Sequence, residues 1–161
     1  MISDYNEKTG TIVDIIDSIK QLNSRPSWDE YFMAGCHLIS KRSSCDRLHV
    51  GCIITSNNRI ITTGYNGFIA NTPHVGCVRD GHEKLTIHAE VNAIADAAKR
   101  GVSLDNSIVY ITHYPCIDCC KALVASGIRN IIYYDDYKND ELVSLLCQRS
   151  GVSINKFHAS K

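Results

Sequence analysis

The sequence predicts a three-layer α/β/α sandwich around a mixed five-stranded sheet. A helical segment precedes a hairpin of β-branched residues, and helices then alternate with strands to the end of the chain. No repeat, linker or low-complexity run divides it. Such alternation buries a central sheet between layers of helices and implies three successive parallel-type crossovers. At 161 residues there is chain for one full core. Residues 1–24 read as an N-terminal extension and residues 25–161 as a single domain.

In the extension Ile12, Ile15, Ile16 and Ile19 recur at helical spacing, a stripe suited to packing on the domain or on a neighbouring subunit. Pro26 followed by Ser27-x-x-Glu30 is a capping box, and a helix is expected over 28–43 with Trp28, Phe32 and Ile39 buried. Residues 48–55 and 59–65 are β-branched and flank Asn57-Asn58, which suits a tight turn, so they make an antiparallel hairpin. Residues 66–86 lack periodicity and carry Asn71, Pro73, Gly76 and Gly81. A loop of that length inside a domain is usually functional or held by something, such as a second metal.

Residues 88–100 are Ala-rich, with Val91, Ile94, Ala95 and Ala98 on one face and Gly101 in the stop position of a helix. A strand follows over 107–112. Pro115 then suits the first turn of a helix running through Leu123 to Gly127, because its missing N–H has no partner there. A strand over 128–134, a helix over 140–149 and a strand over 152–157 complete the chain.

Lys plus Arg and Asp plus Glu both number 17, so there is no overall cationic field to draw in a nucleic-acid backbone, and a small-molecule substrate is favoured. Eight cysteines in a chain of this size, rich in Ile and Val and beginning without a secretory signal, point to metal ligands and free thiols before disulfides. Asp4, Glu7, Asp14 and Asp17 argue against an arginine-rich presequence, and no apolar run is long enough to span a bilayer. A cytoplasmic setting is expected, with no membrane partner.

The chemistry concentrates in His88-Ala-Glu90 and in Pro115-Cys116-x-x-Cys119. A hydrolytic zinc site needs three protein ligands and an open position for water, and His88, Cys116 and Cys119 supply that count. The two cysteines, at i and i+3 in the first turn of a helix, put their sulfurs on one face, where the helix N-terminus favours thiolate. Glu90 is placed to reach the open position without being a ligand, as a proton shuttle. The ligands converge if the strands leading into the two helices are neighbours, since both helix starts then emerge on one sheet edge. A structural zinc would fill all four positions, and a redox C-x-x-C would not call for the preceding His-x-Glu. The composite H-x-E, P-C-x-x-C pattern is that of zinc-dependent nucleobase deaminases.

The chain resembles the deoxycytidylate (dCMP) deaminases of the cytidine deaminase-like superfamily. The resemblance rests on Arg25-Pro-Ser-Trp-Asp-Glu-Tyr-Phe-Met33, Arg42-Ser-Ser-Cys45, Val50-Gly51, Gly64-Tyr-Asn-Gly67 and Pro73-His74. It continues through His88-Ala-Glu-x-Asn-Ala-Ile94, Tyr110-x-Thr-x-x-Pro-Cys-x-x-Cys119, Gly127-Ile128 and Tyr133. It covers nearly everything beyond the first two dozen residues. The zinc motifs specify only the superfamily; Trp-Asp-Glu-Tyr-Phe-Met and Gly-Tyr-Asn-Gly select the dCMP branch.

The resemblance implies hydrolysis of dCMP to dUMP and ammonia, supplying dUMP for dTMP synthesis, with Zn2+ as cofactor. It implies a homo-oligomer, commonly a hexamer, activated by dCTP with Mg2+ and inhibited by dTTP. The same likeness assigns Gly64, Tyr65, Asn66 and Gly67 to the effector site and Asn66, Ala89 and Tyr137 to the substrate. A second, structural zinc on Cys45, His74, Cys77 and His82 is also implied.

The residues themselves leave alternatives open. Gly64–Gly67 suits a strand-ending turn as well as a ligand site. Tyr137 could be a core or surface ring, and Cys45, His74, Cys77 and His82 a free-thiol loop with surface histidines. Arg25, Arg42, Arg47 and Lys138 are candidates for the 5'-phosphate. Cys120 is a spare thiol whose side chain should point about 100° from the ligand face. Beside dCMP hydrolysis stand a dCTP-accepting or bifunctional enzyme, a transfer-RNA adenosine deaminase and a zinc-bound nucleotide sensor without turnover.

Overall fold

The computed structural model describes residues 10–80 and 82–159, with the side chain of His82 outside that description. Residues 1–9, which carry Asp4 and Glu7, and Gly81 likewise fall outside it.

Helix α1 (Ile12–Lys20) opens with a capping box in which the Thr11 side chain accepts from the Asp14 amide. Helix α2 (Trp28–Ser40) opens in the same way on Ser27 and Glu30. It ends three residues sooner than expected, because Lys41, Arg42 and Ser43 continue only as tight i→i−3 turns. Its buried stripe is Phe32, Met33, Cys36 and Ser40, whereas Trp28, expected inside, is 43% exposed and stacks on Phe32.

Strands β1 (Gly51–Ser56) and β2 (Arg59–Tyr65) form the expected hairpin, and both turn asparagines take positive φ, 50° at Asn57 and 56° at Asn58. The first strand starts at Gly51 because residues 48–50 are spent on Asn66: its side chain accepts from the Val50 amide at 2.8 Å and donates to the Leu48 carbonyl at 2.7 Å. The expected loop is more ordered than its composition suggests. It holds β3 (Gly67–Phe68), β4 (Val78–Arg79), β5 (His82–Glu83) and β6 (Thr86–Ile87), with β3 paired to β6 and β4 to β5. The Glu83 carboxylate accepts from the Cys77 and Leu85 amides at 2.9 Å each, which holds it below its ordinary range.

Helix α3 (Ala89–Arg100) stops at Gly101, φ 67°, as expected. Its buried face differs from the expected one: Ala89, Glu90, Ala93 and Ala97 are inside, while Ala95 and Ala98 are exposed. Small side chains at i, i+4 and i+8 let the helix lie close to β2. A Cβ on Gly64 would stand 2.1 Å from the Ala89 carbonyl oxygen. Strand β7 (Ile108–His113), helix α4 (Ile117–Ala125), strand β8 (Asn130–Asp135), helix α5 (Glu141–Ser150) and strand β9 (Ser153–Lys156) complete the domain. Pro115, expected inside the first turn of α4, precedes it, and Cys116 is the N-cap.

The sheet order is β2-β1-β7-β8-β9, with β1 antiparallel to both neighbours and β7, β8 and β9 parallel. Alternate residues face opposite layers. Ile53, Tyr110 and Ile132 pack on Phe32, Met33 and Cys36 of α2. Cys52, Ile54, Val109, Ile111 and Ile131 pack on the other side with Ala93, Leu123, Val143 and their neighbours from α3, α4 and α5. This is the three-layer sandwich with its mixed five-stranded sheet.

The strands that lead into α3 and α4 are not neighbours, contrary to the condition set for convergence: β1 lies between β2 and β7. Because β1 is antiparallel to each, β2 and β7 still run the same way, and both helix starts emerge at the same edge of the sheet. Among the described residues no helix is long and apolar enough to cross a membrane.

Candidate active site

His88 is the N-cap of α3 with extended backbone, φ −73° and ψ 153°, and its ring makes no capping bond. The imidazole is thereby left to face the start of α4. Cys116 caps α4, and its sulfur accepts from the Cys119 amide at 3.4 Å. His88 Nδ1 lies 3.6 Å from Cys116 Sγ and 3.3 Å from Cys119 Sγ. All three donor atoms fall within 4.8 Å of one another, and this is the one such group of three or more His, Cys, Asp or Glu residues among those described.

The electrostatics suit a soft divalent cation. The Cys119 thiol hydrogen-bonds the Cys116 sulfur, and with His88 pushes the Cys116 pKa down to about 4. The same bond, with burial, holds Cys119 up, so the pair shares one proton until a cation displaces it. His88 is raised, first by its hydrogen bond to Cys116. Two sulfurs and a ring nitrogen match the donor set of a catalytic zinc with a free fourth position.

Glu90 is 4% exposed, and burial raises its carboxyl above the ordinary range. It lines a cleft of about 450 Å3 together with His88, Cys116, Asn66, Ala89 and Tyr137. The cleft therefore gathers every residue expected at the catalytic and substrate positions, with Cys119 buried behind it. Of the cationic candidates Arg47 lines it; Arg25, Arg42 and Lys138 do not. Lys138 instead lies over the Tyr137 ring, 5.7 Å from its centroid.

Lys84 and His113 also line the cleft and were not singled out from sequence. Lys84 is a lone cation in an aperiodic stretch, without a pattern to mark it. His113 ends β7 on the edge where open sheets bind ligands, which is a usable signal. Its ring meets that of Tyr137 edge-on at 6.0 Å, and burial lowers its pKa.

The Gly64–Gly67 segment is committed to packing rather than to a positive-φ turn. Gly64 admits α3, and a Cβ on Gly67 would stand 2.6 Å from Ser44 Oγ. The Tyr65 carbonyl accepts from Asn92 at 2.8 Å, and Asn66 alone of the four lines the cleft. Cys45 and His74 line an adjoining pocket, with His74 stacked on Phe68, while Cys77 is absent from that lining. Cys120 points away from the ligands, 3.6 Å from Cys147 Sγ on α5, and burial pushes its pKa up to about 12.

Residues 26–135 match the model of the cytidine and deoxycytidylate deaminase zinc-binding region. ComE operon protein 2 of Bacillus subtilis is 45% identical over 136 residues, which covers 82% of this chain and 72% of that protein. Deoxycytidylate deaminase of Schizosaccharomyces pombe is 35% identical over 145 residues; the match takes in 83% of this chain but spans only 45% of the yeast protein. The crystal structure of dCMP deaminase from the cyanophage S-TIM5, in complex with dCMP and dUMP, superimposes with a TM-score of 0.75 at 32% identity, over 83% of this chain and 99% of that one. With a zinc-binding region matched over most of its length and a ligand set of His88, Cys116 and Cys119, the chain belongs to the cytidine and deoxycytidylate deaminase family.

Proposed function

We propose that the protein hydrolyses dCMP to dUMP and ammonia, with His88, Cys116 and Cys119 as zinc ligands and Glu90 as the catalytic acid and base. The observation that carries this reading is the buried Glu90 carboxyl in the same cleft as a three-donor metal site. Zinc held there lowers the pKa of water toward about 7. Glu90 takes the proton of the water that adds to C4 of the cytosine ring and delivers it to N3. It then takes the proton of the C4 hydroxyl and passes it to the exocyclic amine, so that the C4–N bond breaks, ammonia leaves and the C4 carbonyl of dUMP forms. Its raised affinity for a proton, a product of burial, suits a group that must carry one between steps.

Tyr137 offers a ring face to the pyrimidine, Asn66 a side chain to the sugar and Ala89 backbone to the base. Arg47 and Lys84 are the cations of the cleft and take the 5'-phosphate. The finer features implied by family resemblance belong to the same reading. These are dCTP with Mg2+ as activator and dTTP as inhibitor at Gly64–Gly67, a cytoplasmic homohexamer, and a second zinc on Cys45, His74, Cys77 and His82. The place of Asn66 in both the effector segment and the cleft wall supports a link between effector and substrate.

Ammonia release from deoxycytidine, CMP, dCMP and dCTP, each with and without dCTP or dTTP, tests the proposal. dCMP is expected to be the best substrate. Arg47→Gln and Lys84→Gln should each lower kcat/KM for dCMP by about 10- to 100-fold, the worth of a charge-assisted hydrogen bond, and leave deoxycytidine unaffected. Faster turnover of dCTP would replace the proposal by the bifunctional reading, and no release from any substrate by the sensor.

A further inference from the structure

Tyr137 has little to hold its ring. It stands in the connection between β8 and α5, among the exposed residues Asp136, Lys138 and Asn139. The backbone there is set by a tight turn: the Tyr137 amide donates to Asn139 Oδ1 at 2.9 Å, Asn139 Nδ2 donates to Asp136 Oδ1 at 2.8 Å, and Lys138 takes a φ of 45°. These bonds fix the chain and leave the side-chain torsions of the tyrosine to its ring contacts. Two such contacts occur among the described residues. Lys138 Nζ lies over the ring, at the end of a long exposed side chain that loses much rotamer freedom by staying there. His113 meets the ring edge-on, with 85° between the two planes.

The His113 ring, by contrast, is held from the sheet. It ends β7 opposite Asp135 of β8 and is half-buried. Its Nδ1 lies 2.8 Å from Thr112 Oγ1, and that buried hydroxyl accepts from the Gly51 amide of β1 at 3.1 Å. Two core strands therefore set where the imidazole sits and how it is turned. Of the pair, the histidine is the anchored ring and the tyrosine the one it can orient. Both line the cleft that holds His88 and Glu90.

Orientation matters to a stacking platform, because a base is bound only while the ring presents its face in the right plane. A platform that wanders raises the apparent dissociation constant by the reciprocal of the fraction of time it is correctly placed. Edge-to-face ring pairs favour one arrangement over its alternatives by about 2- to 12-fold, enough to decide that fraction.

We propose that His113 is a positioning residue that fixes the Tyr137 ring for stacking on the pyrimidine. The role rests on the reading of Tyr137 as that platform. Steady-state kinetics on dCMP with the zinc-loaded full chain test it, together with the calorimetric Kd for dUMP, in His113→Ala, Tyr137→Ala, the double variant and His113→Phe. His113→Ala should raise KM and the dUMP Kd together by about 5- to 10-fold, with kcat within about twofold of wild type and zinc content unchanged. In the Tyr137→Ala background the same substitution should add nothing, because the ring it positions is gone. His113→Phe keeps a ring edge and removes both nitrogens, and should bring KM back to within about twofold of wild type.

Equal losses from His113→Ala in the wild-type and Tyr137→Ala backgrounds would overturn the positioning role and leave Tyr137 as the platform, since the histidine would then act on the nucleotide itself. A Phe variant as weak as the Ala variant would overturn it as well, by showing that a nitrogen rather than the ring edge is needed. So would a fall in kcat at constant KM, or an unchanged KM and Kd in His113→Ala. Tyr137→Ala without effect on KM or Kd would instead remove the platform, and the role of His113 with it.

Discussion

Glu90 is the residue on which sequence and geometry bear most directly. Its carboxyl is buried beside a thiolate-rich cluster, where a permanent negative charge is costly, and burial accordingly raises its pKa. Its hydrogen-bond partners are its own amide and the Cys119 thiol, one of the three metal donors, whereas the Glu83 carboxylate in the loop ties down the amides of Cys77 and Leu85. Glu90→Gln keeps the volume and removes the titrating group. Zinc content should stay near that of wild type, while turnover of dCMP falls by about 10² to 10⁴. A variant with full zinc and near-normal turnover would refute the assignment. The four residues of this centre were legible because their chemistry constrains spacing: H-x-E and C-x-x-C put donors at helix starts wherever the surrounding chain goes. Lys84 was illegible for the opposite reason. It reaches the cleft through the β4–β5 pair and the Glu83 hydrogen bonds, which composition does not encode.

At the level of elements, every helix and every strand of the five-stranded sheet was readable as a type, with discrepancies of phase and boundary, whereas the short pairs β3–β6 and β4–β5 lay within the stretch read as a loop. In α3 the alanines fit either face, so periodicity could not say that 89, 93 and 97 are inside and 95 and 98 outside; contact with β2 decides it. That contact gives Gly64 a role the turn reading missed. A methyl group there would meet the Ala89 carbonyl oxygen at 2.1 Å and the Ala93 nitrogen at 2.6 Å, both backbone atoms that cannot swing aside. Gly64→Ala must push α3, and with it His88 and Glu90, away from the sheet. Overpacking of this kind costs about 1 to 3 kcal/mol, so the urea midpoint should fall and zinc retention weaken together. An unchanged midpoint would mean that α3 tolerates a looser seat than its small residues suggest.

Across the whole molecule, the two faces of the sheet are closed differently. Three helices cover one face, and α2 alone covers the other, where Phe32, Met33 and Cys36 meet Ile53, Tyr110 and Ile132. At the open end of that second face His37 of α2 packs edge-on against Tyr134, 4.7 Å between ring centroids, with a buried Nε2 that has no hydrogen-bond partner. Burial lowers the His37 pKa below its ordinary 6.5, against the attraction of Asp135 and with the repulsion of Lys41. His113, across the same groove, is lowered for the same first reason. A group depressed in the folded state binds its proton more readily when the chain unfolds. Its contribution to stability is complete above pH 6.5 and is lost as pH falls from there through the folded value. The hold of α2 on the sheet should therefore weaken with acid. Urea unfolding between about pH 7.5 and about pH 5.5 reads this directly, since His is the side chain whose ordinary titration falls in that window. Wild type should lose midpoint steadily on acidification, and His37→Leu, which cannot take up the proton and fills the site with apolar volume, should lose less. Parallel slopes for the two proteins would assign the acid sensitivity to other groups and leave the α2 layer indifferent to pH.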